Sequence, residues 1–448
     1  MPSRQRVVER GESDDIDLVR IFYVDSAGVT RGRVVPARDI AATLDEGINF
    51  AKVQQSFTAL DFPIEGTPVS GPVGEVRLVP DPGTFVELPY AERTAAMVGS
   101  FETLDGEPWA VGPRARLQEL LDRLEYTPAA AFESEFYLGR REEGGLVPFD
   151  SSGCFAADGM QSAHEVMLDT VDALEAQGME LAIYYPEYGP GQQELVVKYD
   201  EGVASADNHT LYKRTVKGVA GSHGLEATFL PKPFPELPGS GCHLNLSLWD
   251  GGTNAFFDPD SGGRYGLSEL GRSFVAGVLE HGRALVALTA PTVTSYKRLK
   301  PHMWASAYTC WGEDNREAMV RVPSASAENP AGSTRIEYKP IDNTANPYLA
   351  LLGLLAAGMD GVKRDLDPGA PLQVDPDSLS DGEREERAIE RYPETLSAAL
   401  DALEGDEVLR ETLGDDLFES YVAVKRVQWE EFDGTVTNWE LEHLRDPF

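Results

Sequence analysis

Apolar and polar positions along the chain change period several times, and those changes divide it. From position 17, DLVRIFYVDSAGVTRGRVVP alternates in strand fashion on either side of Ser26-Ala27-Gly28, predicting strand, turn and strand. Positions 37–44 read as a short helix, and residues 1–12 are polar enough to be expected without structure. Short β-prone runs among Gly and Pro continue to about Val98, including VRLVPDPGTFVELP. Gly112-Pro113 then punctuates the chain, and 114–124 takes up a helical period. Beyond it short strands alternate with helices expected at 159–176, 208–221, 267–290, 346–362, 396–404 and 419–432. The 346–362 stretch opens Asn-Pro, a capping residue with proline at the first helical position, and is apolar nearly all round, which predicts a buried core helix. Residues 365–390 are acidic, contain Pro and Gly, and read as a surface loop. There are no internal repeats. The expected class is α+β, with a small β-rich unit over 13–105 followed by a larger unit over 106–448.

At 448 residues there is ample material for a core. The opening MPSRQRVVERGESDD has no apolar stretch of signal-peptide type, and the longest apolar run, 349–359, is too short to span a bilayer; a cytoplasmic location without membrane partners is expected. Three widely spaced cysteines, Cys154, Cys242 and Cys310, fit a reducing compartment rather than a disulfide framework. Charge changes the picture more. Acids number 75 against 39 bases, only ten of them lysine, for a net charge of −36. The acids are spread along the chain rather than gathered into a tail, which suits a hydrated surface of halophilic type better than a site for cationic partners. The basic patches that phosphate backbones need are absent, so nucleic acid is not expected as a partner.

Four segments carry candidate chemistry. In YYPEYGPGQQELVVK, Glu187 and Glu194 flank a Gly-Pro-Gly turn and could converge on one hard cation; the alternative is an exposed hairpin. In FESEFYL, strand period puts Glu133 and Glu135 on one face among apolar neighbours, a costly pairing unless a cation lies between them. GSGCHLNLSLW alternates His243, Asn245 and Ser247 with three leucines after a glycine turn at Gly239, giving a half-buried strand with one polar face. RIEYK places Glu337 between Arg335 and Lys339, suiting one metal ligand flanked by anion-holding groups, although a surface charge ladder has the same pattern. Arginines at 298, 316 and 321 add to this in a base-poor chain.

Together with ADNHTLYKRTVKGVA, GLEATFLPKPF, TSYKRLKP, NREAMVRVP and NPYLALLGLLAAGMDGV, these blocks resemble, in order and over almost the whole chain, the glutamine synthetase family. The resemblance implies a β-grasp N-terminal domain, an α+β catalytic domain, and a homo-oligomeric hexameric ring or dodecamer with active sites between subunits. It also implies ATP and two divalent ions, Mg²⁺ or Mn²⁺, with Glu135, Glu187 and Glu194 around one and Glu133, His243 and Glu337 around the other. By the same resemblance Arg316, Arg321 and Arg335 meet phosphate and nucleotide, Ser247 lies on the nucleotide side, and Arg298 meets the carboxylate of the amino-acid substrate, glutamate. Gly239 and Lys339 fall on its substrate side.

The departures point to the amine half. Asn245 stands where the family has a nucleotide-side histidine, Pro238 where it has an asparagine, and Lys339 where it has an arginine. Trp304, in KPHMWASAY, replaces the flap glutamate that shields the intermediate and helps take the ammonium proton. The ammonium-binding aspartate falls at about Ala51, with no acid before Asp61. The expectation is a ligase joining glutamate to a primary amine; ordinary glutamine synthesis from ammonia and a non-catalytic ATP- or amino-acid-binding paralogue are the alternatives.

Overall fold

The structure, a computed structural model, describes residues 2–261 and 266–445. Two mixed sheets dominate it. In the first, Leu18–Val24 pairs antiparallel with Thr30–Pro36, as the alternation predicts, and parallel with Thr94–Glu102; Glu75–Pro80 and Ile48–Ala51 extend the sheet beyond. The parallel pairing requires a crossover, and the chain makes it through the helix Ile40–Glu46 and the intervening strands. At the tip of the first hairpin Gly28 has φ +90°, and a Cβ there would lie 2.3 Å from the Thr344 carbonyl oxygen, so only glycine fits.

The second sheet has eleven strands, with the long Thr127–Glu142 strand near its centre. Cys242–Asp250 lies on one side of it and Gln192–Val197 on the other; the order continues through Ile336–Tyr338 and Val320–Val322 in one direction and Leu181–Pro186 in the other. Helices Ala157–Ala176 and Val203–Ser222 pack on this unit, and Pro347–Lys363 runs through the core, buried along nearly its whole length. The Asn346 side chain caps it as expected, accepting from Tyr348 N and Leu349 N at 3.0 and 3.3 Å. Among the described residues no helix is long and apolar enough to cross a membrane, and all three cysteines are free.

Four local expectations need correction. Residues 4–11 form a helix rather than a disordered segment: Ser3 caps it, Val7 is fully buried, and Arg10 pairs with Glu87 at 2.7 Å. The expected 267–290 helix is two, Glu269–Glu280 and Gly282–Thr289, divided at His281. The acidic 365–390 segment contains a helix, Asp381–Glu386, started by a Ser380–Glu383 capping box. Near the C-terminus Glu407–Leu413 and Asn438–Leu444 add two helices that the apolar pattern is too short to signal.

His281 divides those helices because its ring is held at both nitrogens, by Asp406 at 2.7 Å and Asp360 at 3.1 Å. Burial alone would lower its pKa, but the two carboxylates outweigh burial and hold it above 6.5. A raised folded-state pKa contributes stability that is complete below the unfolded value and is lost as pH rises through the folded one. The denaturant midpoint should therefore fall as pH climbs above 6.5. His281→Gln should cost about 1–3 kcal/mol at pH 6 and less at pH 9, as read by urea titration at both values.

Candidate functional site

Cross-strand register gathers the chemistry on one face of the second sheet. Side chains two apart on a strand, and those directly opposite on its neighbours, share a face. Glu133 lies opposite His243, Asn245 opposite Glu337, Glu337 opposite Arg321, and Glu135 opposite Glu194. A polar row thus runs across five neighbouring strands while Leu244, Leu246 and Leu248 are buried beneath it. Glu187 reaches the row from the hairpin turn after Leu181–Pro186, where its carboxylate accepts from Tyr188 N at 2.9 Å.

Two halves of the row differ electrostatically. In the first, ligand atoms of Glu133, His243 and Glu337 all lie within 4.8 Å of one another. His243 Nδ1 is 3.3 Å from Glu337 and 3.7 Å from Glu133. Glu337 is buried with Arg321 Nε at 2.6 Å and Lys339 Nζ at 3.4 Å. Burial would raise its pKa, but Lys339, His243 and Arg321 together hold it well below the ordinary carboxylate value. The second half has acids without that compensation. Burial, then the charges of Glu135, Glu133 and Glu187, push Glu194 well above the ordinary value; burial and Glu135 also raise Glu187.

The remaining sequence candidates are distributed around these halves. Asn245, in the histidine's place, donates to Glu133 at 2.8 Å and accepts from Arg335 Nε at 2.7 Å, joining the two. Lys339 Nζ also lies 3.3 Å from His243 Nε2. Arg298 is buried and donates through Nη2 to the Lys339 carbonyl at 3.1 Å. Ser247 accepts from the indole of Trp249 at 2.9 Å rather than from any other candidate. Arg316 is exposed with its guanidinium 5.9 Å from the centre of the Trp304 ring, and Trp304 is 56% exposed at φ 53°.

Residues outside the sequence reading hold the frame. Gln192 donates to Glu135 at 3.1 Å and to the Gly239 carbonyl at 2.9 Å; its place two before Glu194 on a strand was the signal available for it. Asn343, carried by an irregular loop, donates to the Glu135 and Gly241 carbonyls at 3.0 and 3.1 Å and accepts from Ser134 at 2.8 Å. Periodicity carries no signal for such a residue.

The donor set suits hard divalent cations, which take carboxylate oxygens and tolerate one imidazole. Two further features fit charged ligands. A Cβ on Gly241 would lie 2.7 Å from Arg298 Nη2, 3.0 Å from Glu135 and 3.1 Å from His243, so the missing side chain leaves a hollow among these groups. Facing a buried surrounding, Arg298 Nη1 has no hydrogen-bond partner among the described residues, as expected of a guanidinium awaiting an anion.

Comparison with known proteins gives the class. Residues 110–444 match the family described as glutamine synthetase, catalytic domain, and residues 2–109 match the glutamine synthetase N-terminal domain. The glutamine synthetase of Methanocaldococcus jannaschii is 35% identical over 97% of this chain and 96% of its own, and that of Halobacterium salinarum 33% over 100% and 97%. Among solved structures, a GmaS/ADP complex superposes with a TM-score of 0.86 at 30% identity, covering 98% of this chain and 99% of that one. A glutamine synthase homologue gives 0.83 at 34%, covering 95% and 97%. Fold and relatives define an ATP-dependent ligase that forms carbon–nitrogen bonds. The chain belongs to the glutamine synthetase family, whose members use ATP and divalent metals.

Crowded carboxylates should make the ion-free protein pay for its charge. At pH 8–9 in EDTA, Glu194→Gln is expected to melt above the wild type, because one member of a like-charge cluster is neutralised. The same variant should lose most of the roughly 2.7 kcal/mol that an ion at a hundred times its Kd adds. Calorimetry with and without Mg²⁺ or Mn²⁺ reads both effects.

Proposed function

We propose that this ligase activates the γ-carboxylate of glutamate as an acyl phosphate and joins it to a primary amine, such as a polyamine, ethanolamine or an aryl amine, rather than to ammonia. The observation that carries the reading is Trp304: an exposed indole occupies the position where the family resemblance expects a carboxylate. Around Ala51 the resemblance expects a second acid and finds none before Asp61. Ammonium needs anionic partners to give up its proton, and general-base assistance is worth about 10²- to 10⁴-fold. An indole instead packs an alkyl or aromatic amine, or meets a cationic one through its face.

In this reading Glu133, His243 and Glu337 hold one divalent ion and Glu135, Glu187 and Glu194 a second. Such ions would neutralise the transferring phosphoryl group and align its oxygens. Arg321 and Arg335 face the phosphates, with Arg316 and Ser247 on the nucleotide side. Arg298, through its unpartnered Nη1, takes the α-carboxylate of glutamate. Lys339 and Gly239 border the same substrate. The γ-carboxylate oxygen attacks the terminal phosphorus of ATP and ADP leaves. The amine nitrogen, as free base, then attacks the acyl carbon; phosphate leaves with the bonding pair and takes up the proton that the nitrogen releases. ADP in the GmaS neighbour supports the nucleotide assignment. The family resemblance supports assembly as a hexameric ring or dodecamer with sites between subunits, and the exposed Ile183, Tyr188 and Tyr199 beside the acidic hairpin suit such packing.

Ordinary glutamine synthesis is the second reading, favoured by relatives named for that activity at 33–35% identity. Phosphate release with ATP, Mg²⁺ and glutamate across an amine panel at molar KCl separates the two. An amine should exceed ammonia, and ammonia turning over as fast as any amine would overturn the proposal. Trp304→Glu should raise kcat/KM for ammonia by about tenfold or more. Glu337→Ala should abolish turnover with every acceptor, whereas a non-catalytic binding protein would be indifferent to it.

A further inference from the structure

The segment carrying Trp304 is held in an unusual backbone state. His302, Trp304 and Ser306 have φ of 62°, 53° and 65°, three non-glycine residues in the left-handed region at alternate positions. Such conformations persist only where surrounding contacts over-determine them. Each has its own fastening. The His302 ring meets Asp375 at 2.9 Å and Asp377 at 3.2 Å; Ser306 Oγ lies 3.0 Å from the Tyr392 hydroxyl. Between them the Trp304 backbone N–H donates to Glu317 Oε1 at 2.8 Å.

Glu317 is well built for this task. The residue is only 9% exposed, although the tryptophan it serves is 56% exposed. The neighbouring Arg316 guanidinium lies 5.9 Å from the indole centroid, so adjacent residues of one loop grip the ring and the backbone of Trp304. That loop is itself tied down. Asn315 accepts from Glu317 N at 3.0 Å and donates to the carbonyls of Leu372 and Val374 at 2.8 and 3.0 Å. The charged groups acting on Glu317 are Asp375, His302 and Lys339, and Lys339 contacts both His243 and Glu337. Glu317 thus feels the charge of Lys339, which itself contacts the candidate metal cluster.

We propose that Glu317 is a positioning residue that fixes Trp304 over the amine side of the site by accepting its backbone N–H. It works through reach and acceptor geometry, not by taking a proton from the amine. The amine pocket is then a rigid aromatic wall already set before substrate arrives. The consequence for substrate choice rests on the amine-ligase reading above, whereas the fastening itself does not.

Two conservative variants separate reach from charge. Glu317→Gln keeps a carbonyl oxygen at the same distance and loses the charge; Glu317→Asp keeps the charge and withdraws it by one methylene. Hydrogen exchange by mass spectrometry on full-length protein reads the fastening without any substrate. Protection of the 302–308 peptide should survive in Glu317→Gln and fall in Glu317→Asp. With the best amine of the wild-type panel, Glu317→Asp should raise the amine KM about tenfold to a hundredfold, as a small misplacement does, with the KM for ATP and glutamate unchanged. Glu317→Gln should stay close to wild type. The opposite ranking, Gln crippled and Asp active, would mean that the charge does the chemistry and would overturn the proposal, as would unchanged exchange in Glu317→Asp. If the wild type prefers ammonia, the amine reading fails by itself and the exchange result still decides the role of Glu317.

Discussion

Like charge crowded on one sheet face is the constraint on which the rest of this structure depends. Glu133, Glu135 and Glu194 are brought together by strand register, and Glu187 is swung in by a turn, in surroundings that water reaches poorly. No sequence would hold such a set for stability, since buried acids without partners are costly. The fold accommodates it by pinning each backbone. Leucines anchor the Cys242–Asp250 strand from below, Gln192 and Asn343 fasten the central strand to the glycine turn, and Lys339 and Arg321 neutralise the far end at Glu337. What remains is an uneven field: acid excess at Glu187 and Glu194, balance at Glu337.

Glycine and asparagine do the shaping that charged residues cannot. Gly241 keeps a hollow open among Arg298, Glu135 and His243 that a single methyl group would close. Asn245 takes hydrogen bonds in both directions, accepting from Arg335 and donating to Glu133. This exchange ties Arg335 to a candidate metal ligand through one neutral amide.

Legibility in the sequence followed the physics of each feature. Strand period made the Glu133–Glu135 and His243–Asn245–Ser247 faces readable, because side chains two apart must share a face wherever the strand goes. The buried helix after Asn346 was equally plain from its cap and apolar circumference. The N-terminal helix was missed because a single buried apolar side chain, Val7, and salt bridges from Arg4 to Asp45 and Arg10 to Glu87 anchor it, too little for a period to register. The break at His281 depends on aspartates about 80 and 125 residues further on, a long-range pairing that no local pattern encodes. Glu317 was invisible for the same reason: its role is to reach the backbone of another loop, and nothing in NREAMVR says which.

The turn at residues 25–28 has a consequence for how the chain is made. Its carbonyls receive the Asn346 amide and the Lys425 ammonium, 321 and 398 residues away respectively, and Gly28 is pressed against the Thr344 carbonyl. This hairpin is thus completed by groups made 321 and 398 residues later. Long-range closure of this kind is slow and leaves edges exposed meanwhile. The strands of the first sheet can pair once residue 102 is made, but its turn keeps open carbonyls until Lys425 arrives. A dense negative surface, which keeps half-made copies apart, suits that interval as well as it suits concentrated salt.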